Sequence, residues 1–162
     1  LGHAHPAVTQ AICDQSSKVI HTSNLYGIAK QQLLGDTLTR LASMDRVFFA
    51  NSGAEANEAS IKLARLYGNR RNIENPTIIV MESSFHGRTM ATLSATGNRK
   101  VHAGFEPLVQ GFVRVPHNDI ESIQRLTDNK SIVAILVEPI QGEGGIHVPD
   151  DSYLKKLREI CN

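Results

Sequence analysis

The sequence predicts an α/β fold with a mainly parallel sheet and flanking helices. Short apolar segments typical of strands alternate with helical patterns from residue 46 to the end of the chain. Polar segments directly follow three of the apolar segments, at 51–54, 82–88 and 138–145. Because ligands of parallel sheets lie beyond the carboxyl ends of the strands, these three segments predict a single binding site.

The first part of the chain predicts two helices joined by a loop. Pro6 suits the first position of a helix over residues 6–17, in which small and branched apolar residues share one face. Residues 22–30 contain Asn24, Tyr26 and Gly27, which predicts a loop. Leucines at helical spacing predict a second helix over residues 31–43.

The first predicted strand-helix unit begins with an apolar strand over residues 46–50. A turn at 51–53 leads into a helix over 54–67. Gly68 predicts the end of that helix, because glycine readily adopts the backbone conformations that terminate helices. The next strand is predicted over residues 77–81.

The second half of the chain predicts two more strands and two more helices. Residues 112–115 predict a strand, and Asp119 predicts the cap of a helix that ends near residue 126. Residues 132–137 are wholly apolar and rich in β-branched side chains, which predicts a central strand buried on both faces. The last predicted helix ends near residue 160 and is capped by Asp151 or Ser152.

Composition narrows the class of protein. The 162 residues are 41% hydrophobic and 20% charged, which favours a folded domain over a disordered chain. The net charge of +1 gives no indication of a nucleic-acid or membrane-surface partner, and the longest apolar run, 132–137, is too short to span a bilayer. Cys13 and Cys161 form neither a CxxC pair nor a disulfide framework, which favours the cytoplasm. No metal site is predicted, because His3 and His5 have no acidic or cysteine partner at ligand spacing.

Ser52, Gly53 and Ala54 lie between a predicted strand and a predicted helix. Free backbone N–H groups at a helix N-terminus favour an anion, and small residues let a phosphate approach. An ordinary turn in which Ser52 only caps the helix is the alternative. The segment matches neither a dinucleotide fingerprint nor a phosphate-binding P-loop, so an oxidoreductase or nucleotide enzyme is unsupported.

Phe85 and Arg88 follow the next strand. An aromatic face stacks well on a flat cofactor ring, and the planar guanidinium of Arg88 suits a carboxylate through two hydrogen bonds. The alternative places Phe85 in the core and Arg88 in a structural ion pair.

Glu138 ends the last predicted strand, where a carboxylate is costly to bury unless it has a defined partner. Pro139 directs the chain out of the sheet, and the glycines that follow allow unusual dihedral angles close to a ligand. Glu143 lies within this loop and could pair with an arginine. A flexible surface turn is the alternative.

Taken together, three motifs resemble the class-III pyridoxal-phosphate aminotransferases. They are NSGAEANEA at 51–59, SFHGRT at 84–89 and VEPIQGEGG at 137–145, and the opening GHAHP at 2–6 is also similar to that family. The resemblance covers essentially the whole chain and is closest to the acetylornithine aminotransferases.

The resemblance implies a role for each candidate side chain. Gly53 and Ala54, with Ser52 beside them, would bind the phosphate of pyridoxal 5'-phosphate, Phe85 would stack on its ring, and His86 and Glu138 would lie nearby. Substrate binding would fall to two further residues. Arg88 would bind the α-carboxylate, and Glu143 would pair with a downstream arginine as a gate between substrates.

The resemblance also implies a fold and a reaction. Residues 1–30 would lead from the small domain, and 31–162 would form an incomplete large domain of the aspartate-aminotransferase-like (type I) fold, usually in a homodimer. The enzyme would move the distal amino group of N-acetylornithine to 2-oxoglutarate, in arginine biosynthesis. The Schiff-base lysine and the aspartate that pairs with the pyridine nitrogen would lie beyond Asn162, so we expect an interior fragment that is inactive alone.

Two alternatives remain at this point. A related enzyme acting on ornithine, succinylornithine or another ω-amine shares the motifs and differs in pocket residues outside this chain. A non-catalytic module that binds a phosphorylated ligand would use the same βα turn without amino transfer.

Overall fold

The computed structural model describes residues 2–162. The chain divides into two compact units, one ending at Phe48 and one spanning Phe49–Asn162. The predicted domain boundary after residue 30 stays a prediction. Within residues 2–162 no helix combines the length and the apolar character that crossing a membrane requires.

The first unit contains two helices, α1 (Pro6–Ser16) and α2 (Ala29–Ala42). Pro6 opens α1 as predicted, and His5 caps it by accepting a hydrogen bond from the Ala7 amide through Nδ1 at 3.3 Å. α2 begins before its predicted start and ends at Ala42, and its C-cap Ser43 adopts a left-handed conformation.

The second unit is built on a parallel three-stranded sheet. Its strands are β1 (Thr77–Met81), β2 (Phe112–Val115) and β3 (Ile132–Leu136), in the order β2-β1-β3. Both neighbours of β1 run parallel to it, which confirms the predicted α/β class. All three strands therefore direct their carboxyl ends toward the same edge of the sheet.

Helices cover both faces of this sheet. On one face, α3 (Gly53–Asn69) and the short α4 (Met90–Ala95) pack on one core cluster, which comprises Ile61, Ile78, Val80 and Ala95. On the other face, α5 (Ile120–Gln124) and α6 (Tyr153–Cys161) border the second cluster, which comprises Ile79, Met81, Val115, Ile123, Tyr153 and Leu157. Alternate residues of β1 enter opposite clusters, as the two-residue period of a strand requires.

The predicted strand at residues 46–50 is wrong, because this segment has no regular structure. Within residues 2–162 its backbone pairs with no other backbone segment, and Phe48 remains 68% exposed. A strand is stable only beside a neighbour that satisfies its N–H and C=O groups. The apolar character of this segment was therefore insufficient to predict a strand.

The prediction that residues 132–137 form a central, doubly buried strand is also wrong. β1 occupies the centre and is almost fully buried, whereas every residue of β3 is only partly buried. β3 pairs with β1 on one side and has no strand neighbour on the other within the described residues. Its apolar composition matches a buried strand, but its place at the edge decides its exposure.

Gly68 does not end α3, which continues to Asn69. A Cβ on Gly68 would lie 2.7 Å from the Cβ of Pro76 and 3.0 Å from the Cγ1 of Val133. Glycine is therefore needed for close packing against the start of β1 and against β3, and not for helix termination. Two smaller differences concern helix ends. α5 ends at Gln124, two residues before its predicted end, and Ser152 occupies the N-cap of α6 without the side-chain hydrogen bond of a capping residue.

Candidate active site

The N-terminus of α3 offers free hydrogen-bond donors. Ser52 is its N-cap, and its Oγ accepts the Glu55 amide at 3.2 Å, as the capping interpretation predicted. Within residues 2–162 no group accepts from the amides of Gly53 and Ala54. A Cβ on Gly53 would meet nothing within 4 Å, so no described side chain packs against Gly53. The positive end of a long helix and two free amides suit an anion.

The loop after β1 is joined to the loop after β3 by a charged acceptor. The Phe85 amide donates to Glu138 Oε2 at 2.9 Å. Glu138 is half-buried and thus has the defined partner that its position calls for. Phe85 is also half-buried and belongs to neither core cluster, which argues against the purely structural alternative for its ring.

His86 is fixed through its main chain and is unpaired at its ring. Its amide donates to Thr96 Oγ1 at 3.0 Å, and its carbonyl accepts from Asn57 Nδ2 at 2.8 Å. The residue is 3% exposed, and its Nε2 is buried with no hydrogen-bond partner in the described part of the chain. Burial lowers the pKa of His86 to about 4, so its imidazole is neutral at physiological pH.

We expect this shift to appear in the pH dependence of stability. The unfolded chain binds a proton on His86 near the ordinary pKa of 6.5, whereas the folded chain does so only near 4. The free energy of unfolding therefore falls as the pH is lowered through that window, by at most about 1.4 kcal/mol per pH unit from this residue. Urea unfolding of the cofactor-free, full-length protein and of H86Q between about pH 7 and about pH 5 measures the difference.

The matched control for this prediction is H3Q, which removes an exposed histidine. H86Q should have a flatter pH dependence than the wild type, and H3Q should follow the wild type. Parallel curves for H86Q and the wild type would show that His86 titrates alike in the folded and unfolded chains.

A glycine brings the loop after β1 against the start of α3. Gly87 has φ of 132°, and a Cβ there would lie 2.6 Å from Thr92 Oγ1 and 3.0 Å from the Cβ of Ala54. Any side chain at this position would push the loop away from the helix N-terminus. Gly87 thus keeps the segment around Phe85 beside the free amides of α3.

The loop after β3 folds back on itself and packs on the loop after β1. The backbone of Gln141 exchanges two hydrogen bonds with His147, at 3.0 and 2.9 Å. The Gln141 side chain is 1% exposed and donates to the Glu82 carbonyl at 2.8 Å. A Cβ on Gly144 would lie 2.1 Å from the Ser83 carbonyl oxygen, so the two loops are in close contact.

The two predicted substrate residues lie at the surface. Arg88 and Glu143 are both exposed, and within residues 2–162 neither has an ion-pair partner. The structural ion pair considered for Arg88 is therefore not formed. The structure thus links Ala54, Phe85, His86 and Glu138, and leaves the two charged side chains free on neighbouring loops.

Sequence reasoning missed four residues that hold these loops together, namely Asn57, Gly87, Thr96 and Gln141. Asn57 and Gln141 lie inside two of the three motifs, but the sequence offers no structural reason for either amide. Thr96 lies outside the motifs, in the unpredicted region that contains α4.

Known proteins are similar to this chain in sequence. Residues 1–162 match the family described as aminotransferase class-III. This chain belongs to that family. It is 60% identical to the acetylornithine aminotransferase of Nitrosomonas europaea over 100% of the chain and 42% of the relative, and 51% identical to that of Gloeobacter violaceus over 100% and 40%.

Solved structures give the same result. An ornithine aminotransferase from Toxoplasma gondii superimposes with a TM-score of 0.92 at 31% identity, over 99% of this chain and 39% of that one. The acetylornithine aminotransferase from Elizabethkingia anophelis has a TM-score of 0.77 at 38% identity, over 99% and 39%. The likeness confirms the predicted fold class. The chain spans about two fifths of the length of its relatives, 42% of the Nitrosomonas europaea protein and 40% of the Gloeobacter violaceus protein.

Proposed function

We propose that these residues are the cofactor-binding part of a pyridoxal-phosphate aminotransferase that moves the distal amino group of N-acetylornithine to 2-oxoglutarate. The observation that carries this proposal is the 60% identity, across the whole chain, to an acetylornithine aminotransferase. Such an enzyme acts in arginine biosynthesis. We place it in the cytoplasm as a homodimer, with residues 31–162 in its large domain.

The residues present fit a flat, phosphorylated cofactor. The free amides of Gly53 and Ala54 supply donors for a phosphate, and a Cβ on Gly53 would meet nothing within 4 Å. The half-buried ring of Phe85 supplies an aromatic face. The buried Nε2 of His86 has no hydrogen-bond partner within residues 2–162, and a bound group would supply one. A solved ornithine aminotransferase of 30% identity and TM-score 0.92 has partial occupancy of PLP at its active site.

Each of these residues has a distinct task. The cofactor, when bound, supplies the electron sink and carries the amino group. Gly53 and Ala54, with Ser52 capping the same helix, bind its phosphate, and Phe85 orients its ring. Glu138 accepts a hydrogen bond from the Phe85 amide and so fixes the backbone that carries this ring. Neutral His86 offers a hydrogen bond without adding a positive charge to the site.

Substrate binding is assigned to the two exposed charges. Arg88 carries a guanidinium that no acidic group within residues 2–162 neutralises, and so it is available for the α-carboxylate of the amino acid. Glu143 pairs with an arginine outside this chain and opens or closes the site between the two substrates. The Schiff-base lysine is likewise assigned to a part of the enzyme outside these residues, and turnover belongs to the whole protein.

Ornithine is the second candidate substrate. The ornithine aminotransferase superimposes with the higher TM-score, 0.92 against 0.77, although the acetylornithine enzyme has the higher identity, 38% against 31%. A TM-score measures where the backbone lies, whereas substrate choice depends on side chains. We therefore give more weight to identity, and the acetylated substrate remains the proposal.

The full-length protein decides between these substrates. We would measure glutamate formed from 2-oxoglutarate with N-acetylornithine, ornithine or succinylornithine as donor, after loading with pyridoxal phosphate. A kcat/KM for N-acetylornithine at least about tenfold above the others supports the proposal, a ratio worth about 1.4 kcal/mol of transition-state binding. A preference for ornithine or succinylornithine would change the substrate, and no transfer from any ω-amine would reject the enzyme assignment.

A further inference from the structure

We propose that Thr96 and Asn57 are positioning residues that hold the main chain of His86, and with it the Phe85 ring, where the cofactor binds. This inference rests on the proposed function. Neither residue was predicted as part of the site, and each acts through the loop after β1 without being assigned a contact to the cofactor.

Thr96 presents its hydroxyl to the loop from the end of α4. The side chain is fully buried, at 0% exposure. Its Oγ1 accepts the His86 amide at 3.0 Å and donates to the Thr92 carbonyl at 2.9 Å. The donor and one acceptor site of the hydroxyl are thus both used. Without this oxygen the buried His86 amide would lose its partner, which is costly.

The position of Thr96 is itself fixed by two other side chains, those of His102 and Arg114. Nε2 of His102 lies 3.0 Å from the Thr96 carbonyl and 3.0 Å from that of Leu93. The guanidinium of Arg114, on β2, donates to the Ser94 carbonyl and reaches that of Thr96 at 3.4 Å. Two side chains therefore anchor the C-terminus of α4, so that Thr96 is a rigid support and not a mobile partner.

Asn57 holds the other end of the same residue. It lies on α3, one turn after the free amides at the helix start, and its Nδ2 donates to the His86 carbonyl at 2.8 Å. The N–H and the C=O of His86 are thus bound by side chains from two different helices. Because His86 lies outside every strand and helix, these two hydrogen bonds replace the ladder that would otherwise orient its backbone.

The geometry links the support to the cofactor residues. Phe85 immediately precedes His86, and its own amide is held by Glu138, so three side chains fix three consecutive peptide units. A small rotation of these units would move the Phe85 ring relative to the N-terminus of α3. Thr96 and Asn57 therefore set the distance between the ring-stacking face and the phosphate donors.

The test compares T96V with T96S, S94A and N57A in the full-length protein. Valine keeps the shape of threonine without the hydroxyl, and serine keeps the hydroxyl. Ser94 is a matched control on the same helix: it is 2% exposed, donates to the Met90 carbonyl and accepts the Val109 amide at 2.9 Å, away from the loop. We would titrate each cofactor-free protein with pyridoxal phosphate, record the near-ultraviolet circular dichroism of the bound cofactor, and measure the melting temperature of each cofactor-free protein.

We expect T96V and N57A to weaken cofactor binding about tenfold and to alter the dichroism of the bound ring. T96S should bind within about twofold of the wild type, and S94A should too, although S94A and T96V lose comparable stability. N57A decides the question if T96V fails to fold, because Asn57 is only partly buried.

Three outcomes would overturn the inference. Wild-type affinity in N57A or in folded T96V shows that the loop is held without these contacts. An equal loss of affinity in S94A shows a general packing effect. A wild-type protein that binds no pyridoxal phosphate rejects the proposed function and this inference with it, whereas the first two outcomes leave the proposed function intact.

Discussion

Replacing Gly144 by alanine should lower kcat/KM of the full-length enzyme about a hundredfold. The added Cβ would lie 2.1 Å from the Ser83 carbonyl oxygen, and that oxygen belongs to the backbone and cannot rotate away. One of the two loops must therefore move by about 1 Å or more, and a displacement of that size near reacting groups costs about a hundredfold in rate. Steady-state kinetics with the amino donor at saturating cofactor measure the effect.

Gly142 provides the matched control in the same loop. A Cβ there would meet nothing within 4 Å, so G142A should stay within about twofold of the wild type. Equal losses in both variants would mean that the loop needs glycine for flexibility and not for the contact with Ser83. Wild-type activity in G144A would contradict the close packing of the two loops.

The elements that sequence reasoning located correctly are those whose signal is local. β1 and β2 match their predicted residues, because apolar side chains dominate each short segment and each pairs with a neighbour in the described sheet. The segment at 46–50 has the same local pattern and forms no strand, because no neighbour pairs with it. The burial of β3 likewise depended on strand order, which a pattern along the chain does not contain.

The same distinction applies to the site. The three loops could be located from the sequence, because each directly follows an apolar segment. The side chains that join the loops could not, because their partners are distant in sequence: the contact of Thr96 with His86 spans 10 residues, that of Asn57 with His86 spans 29, and that of Gln141 with Glu82 spans 59. A polar residue in such a position reveals its role only when the fold brings its partner beside it.

Replacing Arg88 by alanine should raise the KM for N-acetylornithine about ten- to hundredfold. A hydrogen-bonded charge pair contributes about 1.5–3 kcal/mol, and alanine removes all of it. Stability and cofactor affinity should stay near wild type, because Arg88 is exposed and has no ion-pair partner within residues 2–162. Kinetics, a cofactor titration and a melting curve separate these three quantities.

Two variants sharpen the interpretation of Arg88. R88K keeps the charge but presents a single ammonium in place of a planar fork, so it should recover only part of the lost substrate affinity. R70A removes another exposed arginine, at the C-terminal end of α3 and thus far from its phosphate-binding N-terminus, and should leave KM unchanged. If R88A lowers cofactor affinity and leaves the KM for the amino donor untouched, the guanidinium serves the cofactor and not the carboxylate. A loss of stability in R88A would instead indicate a structural partner, which the described residues do not include.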